Sequence, residues 1–333
     1  MDDKNKRILS YCVGGLLYTP AANTGIVDKI LNGSYEKLTS VALCLEDSIM
    51  DSGLHKAEEV LLRTLYRLGE SEMHRSEMPL LFVRVRNPEH LQYIHKLLGS
   101  QADMLTGYIL PKFDMSNAEE YTDVLVRINS NCRSVVYGMP ILESKEIITK
   151  STRMNSLDQL HQLLTSIQHY VLNVRVGGND FCNLYGLRRP VHQTIYDIGV
   201  VRDALIDIVN CFFGEFVVSG PVWEYFGNSV QEEWANGLCR ELELDRLNGF
   251  IGKTAIHPSQ LPLIYESLQV NETDYADAVQ ILGWDQNVLG VCKSDGEARM
   301  NEVKCHRKWA EKIRILGEIY GVKKSQRDIY AEA

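Results

Sequence analysis

The chain has 333 residues, of which 45% are apolar and 24% charged, the balance of a globular protein with room for one large domain or two ordinary ones. A net charge of −9 and a pI near 5.5 exclude the basic stripe that a nucleic-acid surface needs. The eight cysteines form no CxxC pair or zinc-spaced cluster, which excludes a sequence-legible metal cage and suits a reducing compartment.

In chain order, the opening MDDKNKR has no apolar signal core, and no apolar stretch reaches the ~18 residues of a membrane span. A cytoplasmic protein with no membrane partner is therefore expected. Eight short apolar runs follow: GGLLYTP (14–20), VALCLE (41–46), LLFVRVR (80–86), TGYILPK (106–112), SVVYGMPILE (134–143), VLNVRVGG (171–178), EFVVSGP (215–221) and GKTAIHP (252–258). Helix-period segments separate them. The clearest covers 53–70, where Leu54, Ala57, Val60, Leu61, Leu65 and Leu68 share a stripe, with Asp51 and Ser52 as candidate N-caps. Others lie near 88–99, 117–130, 144–168, 194–213, 223–245 and 259–268. After 268, two more helices are expected near 273–283 and 300–320, then a frayed tail.

Strand–helix alternation predicts a parallel sheet covered by helices. Eight units between residues 14 and 258 fit a (β/α)8 TIM barrel, typically about 250 residues long. An open doubly wound sheet is the alternative, but no G-x-G-x-x-G or Walker sequence opens a helix. The expected organisation is a barrel at 1–268 with a C-terminal helical extension at 269–333.

In a barrel, reactive groups gather where strands run into the following loops. Run 2 ends in Glu46 and Asp47. Run 3 carries Arg84 and Arg86, both on the face of Phe82. Run 4 ends at Lys112, run 5 at Glu143, run 6 at Gly177, Gly178, Asn179 and Asp180, and run 8 at His257. Each has an ordinary reading: a loop start for the acids, a helix cap for Asp180, a turn for the glycines and for His257, surface charge for Lys112. All of these would have to hold at once on one rim. Carboxylates without His or Cys partners suit a hard cation, Mg²⁺ above all. Glu143 and Asp180 end neighbouring runs and are the candidate metal ligands. Arg84 suits a substrate carboxylate, and Gly177 and Gly178 would let backbone N–H groups approach an oxyanion.

The motifs LYTPAAN, CLEDS, FVRVRN, ILPK, ILES, VGGNDF and GFIGKTAIHPSQ occur in the order of the citrate lyase β-subunit-like family of the HpcH/HpaI aldolase superfamily, which the chain resembles from about 12 to 268. The resemblance implies a Mg²⁺-dependent barrel, usually homotrimeric, that makes or breaks C–C bonds in 3-hydroxyacyl thioesters such as citryl-, malyl- or citramalyl-CoA. It matches Glu143 and Asp180 to the metal ligands and Arg84 to the oxo-acid-binding arginine. It matches Glu46 and Asp47 to an acidic pair near the metal waters, and Lys112 to the lysine after strand 4. The catalytic set expected is Glu46, Asp47, Arg84 and Lys112, with Gly177, Gly178 and Asn179 beside the substrate. Cys44 stands where the family usually has Asp, and Asn179 where it usually has Glu, so charge is lost near the metal. Those two changes keep open a barrel that binds a ligand or partner without turnover; an aldolase that needs no thioester is a third reading. Arg188 and Arg189 are candidate phosphate contacts or plain surface charge.

Overall fold

The computed structural model describes residues 3–284, 290–294 and 299–323. Contacts divide the chain into two compact units, Met1–Ile264 and Tyr265–Ala333.

The first unit holds eight parallel strands: β1 (Gly15–Pro20), β2 (Ser40–Cys44), β3 (Leu80–Arg84), β4 (Gly107–Leu110), β5 (Tyr137–Leu142), β6 (Asn173–Val176), β7 (Val217–Ser219) and β8 (Lys253–Ala255). Each expected run supplies one strand. Their order is β7-β6-β5-β4-β3-β2-β1-β8. The ring closes because Gly220 pairs with Lys253, Gly220 N–H donates to Gly252 C=O at 2.9 Å, and Ile251 N–H donates to Val218 C=O at 2.9 Å. The family of expected barrels is thus realised, and the open sheet is excluded. Gly252 makes the closing turn possible: its φ is +72°, and a Cβ there would lie 2.4 Å from Gly14 O.

Two apolar layers follow from strand alternation. Side chains facing outward, such as Val41, Leu43, Val83, Val174 and Val176, join the buried stripes of the surrounding helices. Those facing inward, including Leu16, Ala42, Phe82, Ile109, Met139 and Ile141, fill the ring. Helix Leu54–Gly69 buries the predicted stripe from Ala57 to Leu68, with Leu54 half-buried. Asp51 and Ser52 do not cap it by side chain; they form a short 3-10 turn, Asp51–Gly53, ahead of it.

The segment expected as one helix at 144–168 is broken into Lys145–Ile148 and Lys150–Ser166, because Thr149 is extended at ψ 116°. The buried Arg153 side chain donates to the carbonyls of Ile147 (2.9 Å) and Ile148 (2.7 Å) and pairs with Asp207, which makes the break tolerable. The helix expected at 223–245 begins later, as Glu233–Leu247. Helices Asp3–Cys12, Ile26–Leu31 and Gly178–Leu184 were not anticipated.

Lys253, the first residue of β8, is fully buried and bonds Asp245 at 2.7 Å and Glu241 at 2.9 Å. Tyr196 Oη donates to Asp245 at 2.7 Å, and the Arg189 guanidinium lies 3.5 Å from Glu241 and over the Trp223 ring. Arg189 is thus a buried structural cation and not surface charge, whereas Arg188 is exposed and pairs with Glu224. The lysine of the GKTAIHP run belongs to this cluster, locking β8 to helix Glu233–Leu247.

In the second unit, helices Glu272–Gly283 and Val303–Tyr320 pack together. Val270–Asn271 pairs with Val322–Lys323, and Val291–Lys293 pairs with Met300–Glu302. Buried Asp277 accepts from Arg299 and from Asn301 at 2.8 Å. The predicted tail lies outside the described residues. Among the described residues no helix is long and apolar enough to cross a membrane.

Candidate active site and metal centre

Above the apolar filling, the inward face of the barrel turns polar. Alternation along β2 places Ala42, Cys44 and then Glu46 inward; along β3 it places Phe82 and Arg84 inward; along β6, Asn173, Arg175 and Gly177. Glu143 follows the last residue of β5, and Asp180 lies in the first turn of helix Gly178–Leu184.

Arg84 is the hub. It is 6% exposed, and its Nη2 lies 2.8 Å from Glu46 Oε2, 3.2 Å from Asp47 Oδ2 and 3.5 Å from Glu143 Oε1. Three carboxylates around one guanidinium favour its charge: burial opposes protonation, but Tyr18, Glu143 and Glu46 raise its pKa overall. Lys112 Nζ donates to Glu46 Oε1 at 2.7 Å, so both Glu46 oxygens are held by cations. The same bond raises the Lys112 pKa against a smaller desolvation effect. At Asp47 burial acts to raise the pKa, but the bond with Glu46 and the charges of Arg84 and Lys112 together hold it below the ordinary carboxylate value.

Lys112 also has an unusual backbone, φ +49°, in the region that favours glycine. Two bonds fix it: Lys112 N–H donates to Glu143 Oε1 at 2.8 Å, and Asn117 donates to Lys112 C=O at 2.9 Å. The twisted backbone thus orients one carboxylate, Glu143, while the side chain orients another, Glu46.

Glu143 and Asp180 stand side by side. The point where a Gly177 Cβ would sit is 2.3 Å from Glu143 Oε2 and 3.1 Å from Asp180 Oδ2. The missing Cβ leaves both oxygens in one small space. Burial pushes the Glu143 pKa up to about 8, with Asp180 and Glu46 adding to the rise while Arg84 and the Lys112 N–H oppose it. Two carboxylates crowded in this way, one of them reluctant to ionise, form an all-oxygen donor pair suited to a hard divalent cation. Among the described residues no group of three or more His, Cys, Asp or Glu side chains is disposed to hold a metal. Any ion here would take its remaining ligands from water or substrate, which is the habit of Mg²⁺.

This shift has a measurable consequence. Between pH 4.5 and about 8 folded Glu143 retains a proton that the unfolded chain has released, so its contribution to stability declines as pH rises through that window. Without metal, Glu143→Gln should flatten that decline in chemical-denaturation midpoints measured from pH 5 to 8.5. An unchanged slope would show that Glu143 ionises normally.

The remaining candidates divide. Gly178 serves packing: a Cβ there would lie 2.8 Å from Pro221 Cβ. The Gly177 N–H donates to Leu142 C=O at 3.1 Å, so it is committed to the sheet and not open to an oxyanion. Asn179 is half-buried beside Asp180. Arg86 turns away from the hub; it donates to the carbonyls of Leu45 (2.8 Å) and Ile49 (2.5 Å) and pairs with Asp51, clamping the loop after β2. His257 caps the turn Pro258–Gln260, accepting from Ser259 N–H at 3.2 Å, and stacks on Phe226. Two inward residues escaped the sequence reading, Tyr18 and Arg175. Parity alone could have found them, since Tyr18 is two residues beyond Leu16 and Arg175 two before Gly177.

A closed (β/α)8 barrel whose strand ends gather three carboxylates around a buried arginine and a lysine, with a fourth beside them, has the architecture of an acid-lined barrel enzyme. Residues 7–322 match the model of the C–C bond lyase family of the TIM-barrel fold, and the chain belongs to that family of carbon–carbon lyases. No curated protein is significantly similar to it in sequence. Among solved structures, a citrate lyase from Burkholderia xenovorans LB400 is similar over 95% of this chain and 95% of its own, at 16% identity and a TM-score of 0.68. The CitE protein from Mycobacterium tuberculosis, in complex with magnesium, acetoacetate and coenzyme A, covers 91% of this chain and 98% of its own, at 16% identity and a TM-score of 0.57. RipC from Yersinia pestis covers 78% and 95%, at 15% identity and a TM-score of 0.52. At such identities the likeness speaks for the fold.

Proposed function

We propose that the chain is a Mg²⁺-dependent lyase that splits a 3-hydroxyacyl thioester, or a closely related hydroxy acid, into an acyl product and a 2-oxo acid. The observation that carries this reading is the Glu143–Asp180 pair facing one space over Gly177. The magnesium and coenzyme A held by the M. tuberculosis CitE structure support it. Bound between Glu143 and Asp180, Mg²⁺ would supply Lewis-acid polarisation of the substrate's hydroxyl and carbonyl oxygens.

The chain's own groups do the rest. Arg84 receives the carboxylate of the oxo-acid half in a charge-assisted pair. Glu46, fixed by Lys112 and Arg84, accepts the hydroxyl proton. The oxygen's electron pair becomes the new carbonyl, and the C–C pair moves onto the carbon next to the thioester. Reprotonation there gives the acyl thioester. Lys112 keeps positive charge beside the developing negative charge, so orientation and electrostatics supply most of the rate.

The reading extends to a barrel catalytic unit at 1–268 with a helical extension at 269–333, working as a homo-oligomer in the cytoplasm. The seven described cysteines are all free, as a reducing compartment requires. The test is oxo-acid release from a panel of hydroxyacyl-CoA and free hydroxy-acid substrates with and without Mg²⁺. Metal-dependent release is expected; release that ignores chelation would end the proposal.

Asp180→Asn provides a second check. Removing one charge from the pair should weaken Mg²⁺ binding at least tenfold by calorimetry, a change of about 1.4 kcal/mol. The metal-free melting temperature should hold or rise, because the variant relieves repulsion with Glu143. A collapse of metal-free stability would assign Asp180 to helix capping.

A further inference from the structure

Glu46 and Asp47 ride on a turn that the barrel's ladder does not reach. The ladder between β2 and β3 extends to Leu45 N–H, which donates to Arg84 C=O at 3.0 Å. In a continued parallel pairing, Leu45 C=O would next accept from Arg86 N–H. It accepts instead from the Arg86 side chain, whose Nε lies 2.8 Å away. Arg86 Nη2 donates to Ile49 C=O at 2.5 Å, and Nη1 pairs with Asp51. One guanidinium therefore grips the carbonyl just before Glu46 and the carbonyl just after Ser48. Between these grips, Ile49 N–H donates to Glu46 C=O at 2.9 Å and closes the turn. Asp47, Ser48, Met50 and Asp51 are exposed, so packing gives the turn little hold.

Arg86 is itself fastened from behind. Its N–H donates to His90 Nδ1 at 3.1 Å, and His90 Nε2 lies 3.1 Å from Glu58 Oε1. An accepting Nδ1 places the ring proton on Nε2, where it donates to Glu58. Burial outweighs the pull of Glu58 and holds the His90 pKa below its ordinary value, which keeps the ring neutral and Nδ1 free to accept. His90 N–H donates in turn to Asn87 Oδ1 at 2.8 Å, at the start of helix Pro88–Leu98. A rigid line of contacts thus runs from helix Leu54–Gly69 through Glu58, His90 and Arg86 to the turn that carries the two acids.

We propose that Arg86 is a positioning residue: through the carbonyls of Leu45 and Ile49 it fixes where the Glu46 and Asp47 carboxylates stand against Arg84 and Lys112. The inference rests on the Mg²⁺-lyase reading for the task of Glu46, and it adds a residue that touches no reacting atom. A proton acceptor displaced by ~1 Å loses on the order of 100-fold in rate, so a turn without its clamp should affect the chemical step. A planar fork suits the task, because its donors reach two carbonyls in fixed directions.

The experiment has two readouts on the full chain, and the first needs no substrate. Lys112 Nζ is 56% exposed and pairs with Glu46 and Asp47, and the bond to Glu46 raises its pKa. Its acetylation by acetic anhydride near pH 8 is followed by mass spectrometry, with the exposed Lys150 as internal reference. Arg86→Met should speed that labelling by about threefold or more, because acids that swing away return Lys112 towards an ordinary amine. Arg86→Lys, which can reach one carbonyl but not both, should fall between, and it covers the case in which the methionine variant does not fold. Asp51→Asn removes only an exposed pair and should label like the wild type. The second readout is turnover on whichever substrate shows Mg²⁺-dependent release. Arg86→Met should lower kcat roughly tenfold or more with KM within about threefold. Unchanged Lys112 labelling in the folded Arg86 variants, or an unchanged kcat in them, would overturn the positioning role and leave the lyase reading standing. Labelling that responds in a chain that releases no oxo acid would support the clamp and overturn the lyase reading, and with it the role of Glu46 as proton acceptor.

Discussion

Gly177→Ala is expected to abolish most of the Mg²⁺ affinity while leaving the chain folded. The backbone there has φ −96°, which alanine accepts, so the conflict is purely one of space. The new Cβ would stand 2.3 Å from Glu143 Oε2, 2.4 Å from Glu143 Cβ and 3.1 Å from Asp180 Oδ2. Glu143 cannot easily yield, because Lys112 N–H and Arg84 hold its other oxygen. Overpacking of this kind costs about 1–3 kcal/mol of stability. The effect on metal should be larger in relative terms, at least a tenfold weakening, since both oxygens are displaced from one shared position. Gly178→Ala is the control. Its Cβ meets Pro221 at 2.8 Å and Ile195 at 3.5 Å and touches neither carboxylate. It should lower the melting temperature by a comparable amount and leave Mg²⁺ affinity within a factor of about two. Calorimetry and thermal unfolding on both variants decide the matter: an alanine at 177 that binds Mg²⁺ normally would remove the pair from the metal site.

Much of this geometry was legible because barrels report their strands clearly. A strand buried on both faces reads as a continuous apolar run, and its end shows where polarity begins. Glu46, Arg84, Lys112 and Glu143 were visible for that reason. What escaped was set by tertiary contacts. The break at Thr149 depends on Arg153 reaching carbonyls from within the next helix, and no local pattern announces that. The late start of helix Glu233–Leu247 reflects Trp223, whose Nε1 donates to Trp234 C=O at 3.1 Å and fastens an extended approach. Helix Gly178–Leu184 begins with a glycine and is preceded by another at its N-cap, a poor local signal, each required by a close neighbour. Arg189 looked like surface charge because its partner, Glu241, lies 52 positions further along the chain. Tyr18 and Arg175 were missed because each sits mid-run, where attention to strand ends does not reach.

The departures from the familiar motifs acquire a physical meaning in this setting. Cys44 is buried on the inner face just below Glu46, and Asn179 flanks Asp180. An acid at either place would add negative charge to a locality that already holds four carboxylates. Cys44 and Asn179 therefore leave the pocket less negative than acids at those two places would.

That balance turns on Arg84, and Arg84→Met is the second large effect. Methionine fills a similar volume but leaves Glu46, Asp47 and Glu143 facing one another without their shared cation. Removing one partner from a buried charge cluster costs roughly 3–5 kcal/mol. The sign of its pH dependence identifies the cause. Without the guanidinium, the carboxylates hold their protons to higher pH in the folded state than in the unfolded chain. The destabilisation should therefore be smallest near pH 5, where protonation relieves the repulsion, and grow as pH rises through 8. Urea unfolding at the two extremes measures this directly. Arg84→Lys, which keeps the charge but not the planar fork, should recover much of the stability at pH 8 and little of the oxo-acid affinity. A loss of stability equal at both pH values would assign Arg84 to packing, and the cluster would then lose its claim to be an electrostatic centre.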